Sequence, residues 1–261
     1  MNTEHTCKNC GHEIAENFCP NCGQKKYRRI DRKYIIEEAQ YSLLHTNKGF
    51  LYSVKNILKN PGKTAREFIE GNRVKHYKPI LLAFVLSGIS AFISIKFIGI
   101  YKAMESMTVN GKSVNSPQMQ EVMSYVTSYN SFIALLMIPF FALLTKSLFY
   151  KWGNNYYEHV VMNAFFQSYY TIIYILILYP IMFFLKDDYN WIMTMMGIAF
   201  IILPFLLIWF FKGFYENRKL STITLRVISM FVIFGVLYFG IIFIAIIINL
   251  ILNPEAPQQI Q

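Results

Sequence analysis

The chain has 261 residues, 54% of them hydrophobic, 17% aromatic and only 15% charged, with a formal net charge of +10. That composition is too apolar for an ordinary soluble domain. Charge is also unevenly placed, since residues 25–78 hold fourteen Lys/Arg against five Asp/Glu, whereas residues 1–24 are net −2 and residues 79–261 net +3. Such a basic cluster suits nucleic acid or an anionic membrane face, and because a long apolar run follows immediately, the membrane requires fewer assumptions.

The N-terminal stretch has no apolar core and no small-residue cleavage site, so it is expected to stay in the cytosol. There its four cysteines would be reduced thiols, free to bind metal rather than paired in disulfides. Cys7-Lys-Asn-Cys10-Gly11 and Cys19-Pro-Asn-Cys22-Gly23 follow the pattern C-x2-C-x8-C-x2-C. A two-residue gap lets both sulfurs of a pair face one ion, and the following glycine lets the backbone turn back towards the thiolates. Four thiolates close a tetrahedral shell, which suits Zn²⁺ in a structural role; a catalytic zinc keeps one position open. Iron sites use similar ligands, but the eight-residue spacer matches a miniature zinc ribbon. His5 and His12 flank the first knuckle and read as surface residues beside a complete ligand set. The predicted ribbon, residues 1–24, is too small to build a core without its metal.

Residues 25–78 read as a basic, amphipathic helical segment close to the membrane. Lys25, Lys26, Arg28, Arg29, Arg32 and Lys33 form the basic run. It is expected to face anionic lipid of the inner leaflet; nucleic acid is disfavoured because only Tyr27 and Tyr34 interleave with the charges. Asp31 is placed to cap a helix carrying Ile35, Ile36, Ala39 and Leu43 on one side, and Asn47 to begin another with Phe50, Leu51, Val54, Ile57 and Leu58 at helical spacing. Both helices could lie on the leaflet or pack beneath the spans. Asn60-Pro61-Gly62 interrupts the pattern, and Thr64-Ala-Arg-Glu67 reads as a capping box opening a short helix that Gly71 closes.

The knuckles with Cys22-Gly23-Gln24, followed by Asn60-Pro61-Gly62, Arg66-Glu67-Phe68-Ile69, Gly71, Arg73, Tyr77 and Pro79, resemble a bacterial family of zinc-ribbon, multi-span membrane proteins known only as a domain of unknown function. The resemblance is close over residues 7 to about 100 and looser over the later apolar runs, where Glu158-His159 also looks similar. It implies the architecture and assigns no activity.

The fold class predicted is an all-α polytopic membrane protein. Five spans are expected over 80–101, 132–150, 160–185, 191–211 and 227–252, with a short tail at 253–261. The first alone, 22 residues, reaches about 33 Å against roughly 30 Å of hydrocarbon. With a cytosolic N-terminus, the loops at 151–159 and 212–226 are also cytosolic, and the tail lies outside. Lys212, Arg218, Lys219 and Arg226 on the inner loop agree with that, against Lys186, Asp187 and Asp188 on the outer loop and Glu255 in the tail. Lys96 and Lys146 sit near span ends and are expected to reach the headgroups. Ala83, Ser87 and Ala91 favour close helix packing, and Pro139, Pro180 and Pro204 are candidate kinks.

Glu158, His159, Asn163 and Gln167 are the candidate polar intramembrane residues. The last three share one face of span 3, where they could position water, a proton or a second metal; Glu158 and His159 also fit a plain cytosolic boundary. Gly111-Lys112-Ser113 is not a P-loop, because Ser106 stands where the first glycine belongs, and neither H-E-x-x-H nor G-x-S-x-G occurs. Residues 102–131 read as an outer loop with a short helix near Gln118 to Tyr129. The function expected is a non-enzymatic zinc-ribbon adaptor, scaffold or regulator in the bacterial inner membrane, with an unidentified protein partner. The alternative, a transporter or channel component, predicts a membrane-depth cavity lined by Asn163 and Gln167.

Overall fold

The computed structural model of the chain describes residues 5–27, 29–35, 49–99, 108–109, 112–113, 121–122, 125, 129–185 and 189–252. The N-terminal ribbon is a two-stranded antiparallel ladder, β1 (His5–Thr6) with β2 (Glu13–Ile14), followed by the second knuckle and an isolated Phe18–Lys25 bridge. Two short helices follow, α1 (Phe50–Lys59) and α2 (Pro61–Ile69). Five helical segments are long and apolar enough to cross a membrane: Pro79–Ile98, Asn130–Leu148, Tyr156–Phe184, Asn190–Phe214 and Leu220–Ile244. The fold is therefore helical with five candidate spans and an N-terminal four-cysteine cluster, as the sequence predicted.

Several boundaries differ from the apolar windows. Span 3 begins at Tyr156 rather than Val160, because Asn155 and Glu158 form a capping box that starts the helix in polar sequence. Span 5 begins at Leu220, where Ile223 is fully buried and holds the first turns against the bundle. The expected capping box at Thr64 is replaced by a cap at Asn60. Asn60 Oδ1 accepts from the Lys63 amide at 3.0 Å, Pro61 takes the first turn where its missing N–H costs nothing, and Glu67 pairs with Lys63 instead. The α1 cap is Gly49, and Asn47, Ile36, Ala39 and Leu43 lie outside the described residues. Asp31 does cap locally, accepting from the Tyr34 amide at 2.7 Å.

Of the prolines, Pro180 has a clear consequence. Lacking an N–H, it cannot bond the carbonyl four residues back, and the turn Tyr174–Leu178 just before it widens to a π turn, with Tyr179 N–H reaching Tyr174 O. A second π turn, Ser94–Ile98, ends span 1, and Ser90 Oγ lies 2.7 Å from Tyr179 Oη between the two spans. Ala83, on the small-residue face of span 1, is buried against Ala142 and Ala164 of spans 2 and 3. Between spans 1 and 2, Thr108–Val109 and Lys112–Ser113 pair as a two-residue hairpin. Residues 121, 122 and 125 are helical, and the rest of the expected 118–129 helix is outside the described residues apart from Tyr129.

The main core is not midway along the bundle but at one end. Ile30, Ile57, Phe68, Phe149, Phe165, Phe210, Phe211 and Ile223 are almost completely buried in one cluster. That cluster joins the segment after the ribbon, both short helices and residues of all five spans, Leu82 and Leu86 of span 1 included. Helix α2 packs closely enough on span 4 that Gly62 and Gly213 face each other across bare backbone. The segments before span 1, between spans 2 and 3 and between spans 4 and 5 thus meet at one end, as alternation of five spans requires.

His76 lies in this core, 7% exposed, with Ser53 Oγ 3.4 Å from its Nδ1 and edge-on contacts to Tyr52, Phe68 and Phe165. Burial lowers its pKa from 6.5 to about 4. The unfolded chain therefore binds the proton first as pH falls. Stability associated with His76 is full above about pH 6.5 and is lost towards pH 4, by about 3 kcal/mol. Thermal unfolding across that window should show the loss, and a His76→Phe variant, similar in shape and without a titratable group, should flatten it.

Candidate functional site

The ribbon places four thiols around one point. Cys7 Sγ is 3.6 Å from Cys22 Sγ and Cys10 Sγ 3.6 Å from Cys19 Sγ, and all four lie within 4.8 Å of one another. A tetrahedral shell with bonds of about 2.3 Å has edges of about 3.8 Å, so the donor set fits one thiolate-bound metal ion. Backbone geometry explains the fit: Cys7 O and Cys19 O accept from the amides of Gly11 and Gly23, and both glycines have φ above +70°, which closes each knuckle. Burial raises the Cys19 thiol to about 11, while the Asn9 side chain lowers Cys22 to about 6. Metal binding at neutral pH must then displace protons. Besides the cysteines, the buried cluster of the ribbon contains one apolar side chain, Ile14. His12 is not in the cluster of candidate ligands, and His5 contributes backbone to β1.

Gln24 connects this site to the bundle. Its carbonyl accepts from the Cys19 amide at 2.7 Å, inside the second knuckle. Its side chain is buried in the turn after α2, where Nε2 donates to Gly71 O at 2.5 Å and Oε1 accepts from the amides of Arg73 at 3.3 Å and Val74 at 2.9 Å. Gly71, at φ +118°, presents that carbonyl from a conformation few other residues adopt. The Arg73 guanidinium lies over the rings of Tyr27 (5.6 Å), Tyr34 (4.6 Å) and Phe68 (5.7 Å) and donates to the carbonyls of Phe68 and Ile69. Tyr27 and Tyr34, the two aromatics of the basic run, are therefore used within the molecule.

A second connection runs through span 3. Arg29 Nε donates to Glu158 Oε1 at 2.9 Å and its Nη2 to Gly153 O at 2.9 Å, so the structure pairs Arg29 with protein. Glu158, 4% exposed, also accepts from Asn154 Nδ2 (3.1 Å) and Asn155 N (2.9 Å), while Asn155 Nδ2 donates to Ile30 O at 2.8 Å. Glu158 thus acts as helix cap and as anchor for the ribbon's exit segment. Lys25, Arg32 and Lys33 are exposed, Lys26 is half-buried, and Arg28 lies outside the described residues. Arg29→Ala is expected to cost about 1 kcal/mol in a thermal melt, since Asn154 and the Asn155 amide still satisfy the carboxylate and Arg29 is more than half exposed. Glu158→Ala should cost about 2 to 3 kcal/mol, because it removes the cap as well.

The remaining candidates are His159, directly after Glu158, and Asn163 and Gln167, one and two turns beyond it on span 3. His159 is fully buried and Asn163 is 8% exposed. Thr145 Oγ1 lies 2.9 Å from Phe141 O and 3.1 Å from His159 Nδ1 and accepts from Asn163 Nδ2 at 2.9 Å; Asn163 Nδ2 also meets His159 O at 2.8 Å. His159 Nε2 has no hydrogen-bond partner among the described residues. Lys146, expected to reach the headgroups, donates to Asn154 O at 2.6 Å. Asn163 and Gln167 line a cavity of about 290 Å³ between spans 2 to 5, walled largely by Phe141, Phe166, Phe200 and Phe234.

Gln24, Ile30 and Asn155 did not figure among the candidate site residues. Gln24 stands directly after the second knuckle, and Ile30 is an isolated apolar residue in a basic run; both were available signals. Asn155 stands five residues before the apolar window that begins at Val160.

A family model described as a protein of unknown function (DUF3667) matches residues 47–91, which covers α1, α2 and about the first two thirds of span 1. That match agrees with the domain-of-unknown-function part of the resemblance. No curated protein and no solved structure gave a match.

Proposed function

We propose that the protein is a membrane-embedded adaptor or regulator of the bacterial inner membrane, in which a structural Zn²⁺ ribbon presents a cytosolic surface for a protein partner. In this reading the N-terminus is cytosolic and the C-terminus extracytoplasmic, and Lys25, Arg32 and Lys33 rest against anionic lipid of the inner leaflet. The observation that carries it is Gln24, which shares its backbone with the metal knuckle and its side chain with the turn leading into span 1. A ribbon tied in this way holds a fixed orientation relative to the bundle. Only its outer surface is left for a partner.

The test is crosslinking in cells followed by purification, comparing the natural protein with Cys19→Ser/Cys22→Ser at matched membrane levels. A defined partner that disappears with the metal site supports the reading. Recovery of the same proteins without the site contradicts it.

A second reading, a transporter or channel component, is favoured by one observation: the cavity that bears Asn163 and Gln167. Solute flux in proteoliposomes that falls with Gln167→Leu while ribbon variants leave it unchanged would support this alternative over the adaptor.

A further inference from the structure

The cavity between spans 2 to 5 has a wall and a polar pole that together specify a ligand. It is flanked by Asn163, Gln167 and Tyr170, seven to fourteen residues from the start of span 3 at Tyr156. At the helical rise this is about 10 to 20 Å along the span, inside the hydrocarbon region for a bilayer core of roughly 30 Å. Among the described residues, no Asp, Glu, Lys, Arg or His lines it. A charged occupant would therefore be buried without a counter-ion, which the low-dielectric surroundings disfavour strongly.

The hydrogen-bonding valence at the pole is more specific. Asn163 commits both hydrogens of Nδ2 to Thr145 Oγ1 and His159 O, which leaves Oδ1 as an acceptor. One turn on, the backbone carbonyl of Gln167 takes the Thr171 hydroxyl, and the Gln167 carboxamide has no protein partner among the described residues. An acceptor beside a free donor matches a hydroxyl group, which donates to one and accepts from the other. We infer that this cavity binds an uncharged, hydroxyl-bearing molecule of the lipid phase, its hydroxyl between Asn163 Oδ1 and Gln167 Nε2 and its hydrocarbon against the phenylalanine wall. A scaffold and a carrier alike can hold such a ligand, so the inference rests on neither functional reading.

The test uses full-length protein in nanodiscs of phosphatidylethanolamine and phosphatidylglycerol, with a diazirine-bearing hexadecanol as probe and mass-spectrometric mapping of the label. Saturable labelling of peptides containing Phe141, Phe166, Phe200 or Phe234, competed by unlabelled hexadecanol, is expected. Gln167→Leu should reduce it about tenfold, and Leu203→Trp, which fills the cavity from span 4, should abolish it. A diazirine fatty acid of equal length, ionised at neutral pH, should label these peptides at least tenfold less. A diazirine diacylglycerol arm separates the two sources of the same chemistry: stronger labelling by it assigns a glycerolipid, stronger labelling by the alcohol a single-chain ligand. Labelling spread evenly over outward-facing positions such as Phe184 and Phe239, or unchanged in Gln167→Leu, would overturn the inference even if Leu203→Trp failed to fold.

Discussion

Cys19→Ser/Cys22→Ser is expected to reduce bound zinc from about one equivalent per chain to none and to unfold residues 5–27. The reason is the scale of the ribbon. Its buried cluster consists of Cys7, Cys19 and Ile14, with Cys22 packed against them, so the metal bonds stand in place of a hydrophobic core. Binding of a structural zinc contributes about 10 to 16 kcal/mol in comparable small sites, and two remaining thiols cannot recover that. Elemental analysis gives the stoichiometry, and limited proteolysis reports the unfolding as new cleavage before Ile30. The bundle should survive, because spans 2 to 5 and helix α2 share a core that contains no ribbon residue before Ile30. A protein that keeps one zinc and a protease-resistant N-terminus would show that the four thiols are not the metal site.

Gly62→Ala should have an effect out of proportion to one methyl group. A Cβ at position 62 would overlap Phe210 O and sit 2.6 Å from Phe214 N, both backbone atoms of span 4. Neither can rotate away, so relief requires separating α2 from span 4, and with it Phe68 from the shared core. Overpacking of side chains typically costs 1 to 3 kcal/mol; against rigid backbone at least about 3 kcal/mol is expected. Gly213→Ala, which meets Asn60 Oδ1 at 2.6 Å, should be milder, because a side chain can shift. Gly235→Ala and Gly240→Ala, with nothing within 4 Å, serve as controls and should be neutral or slightly stabilising in the helix. Thermal unfolding in one detergent ranks the four.

The parts legible in the sequence were those set by local spacing. Two C-x2-C-G knuckles at an eight-residue gap specify the metal cluster because each knuckle closes by hydrogen bonds within five residues. Apolar runs specify the spans because length and hydropathy are properties of a segment alone. What could not be read were features set by neighbours distant in sequence. Glu158 looked like a boundary carboxylate; its role depends on Arg29, 129 residues away. Asn60 took the cap from Thr64 because Pro61 accepts the first helical position and Gly62 must reach span 4. Arg29 looked like one of six equivalent cations until Ile30, beside it, fell into the core. A cavity lined by Asn163 and Gln167 is an expectation of the transporter alternative alone, and of its phenylalanine wall only Phe166 lies on the same span; Phe141, Phe200 and Phe234 come from spans 2, 4 and 5.

The central claim is that the metal ribbon and the bundle are one mechanical unit, joined through Gln24 and Arg29. Hydrogen exchange of the full-length protein in nanodiscs, with and without a zinc chelator, tests it most directly. The account predicts faster exchange on chelation not only at residues 5–27 but also at the amides of Arg73 and Val74, which lose Gln24 Oε1 as their acceptor. Gln24→Ala should produce the same change at Arg73 and Val74 with zinc still bound. Unchanged exchange at Arg73 and Val74 while the ribbon itself unfolds would contradict the account, leaving a tethered metal domain with no hold on the membrane bundle.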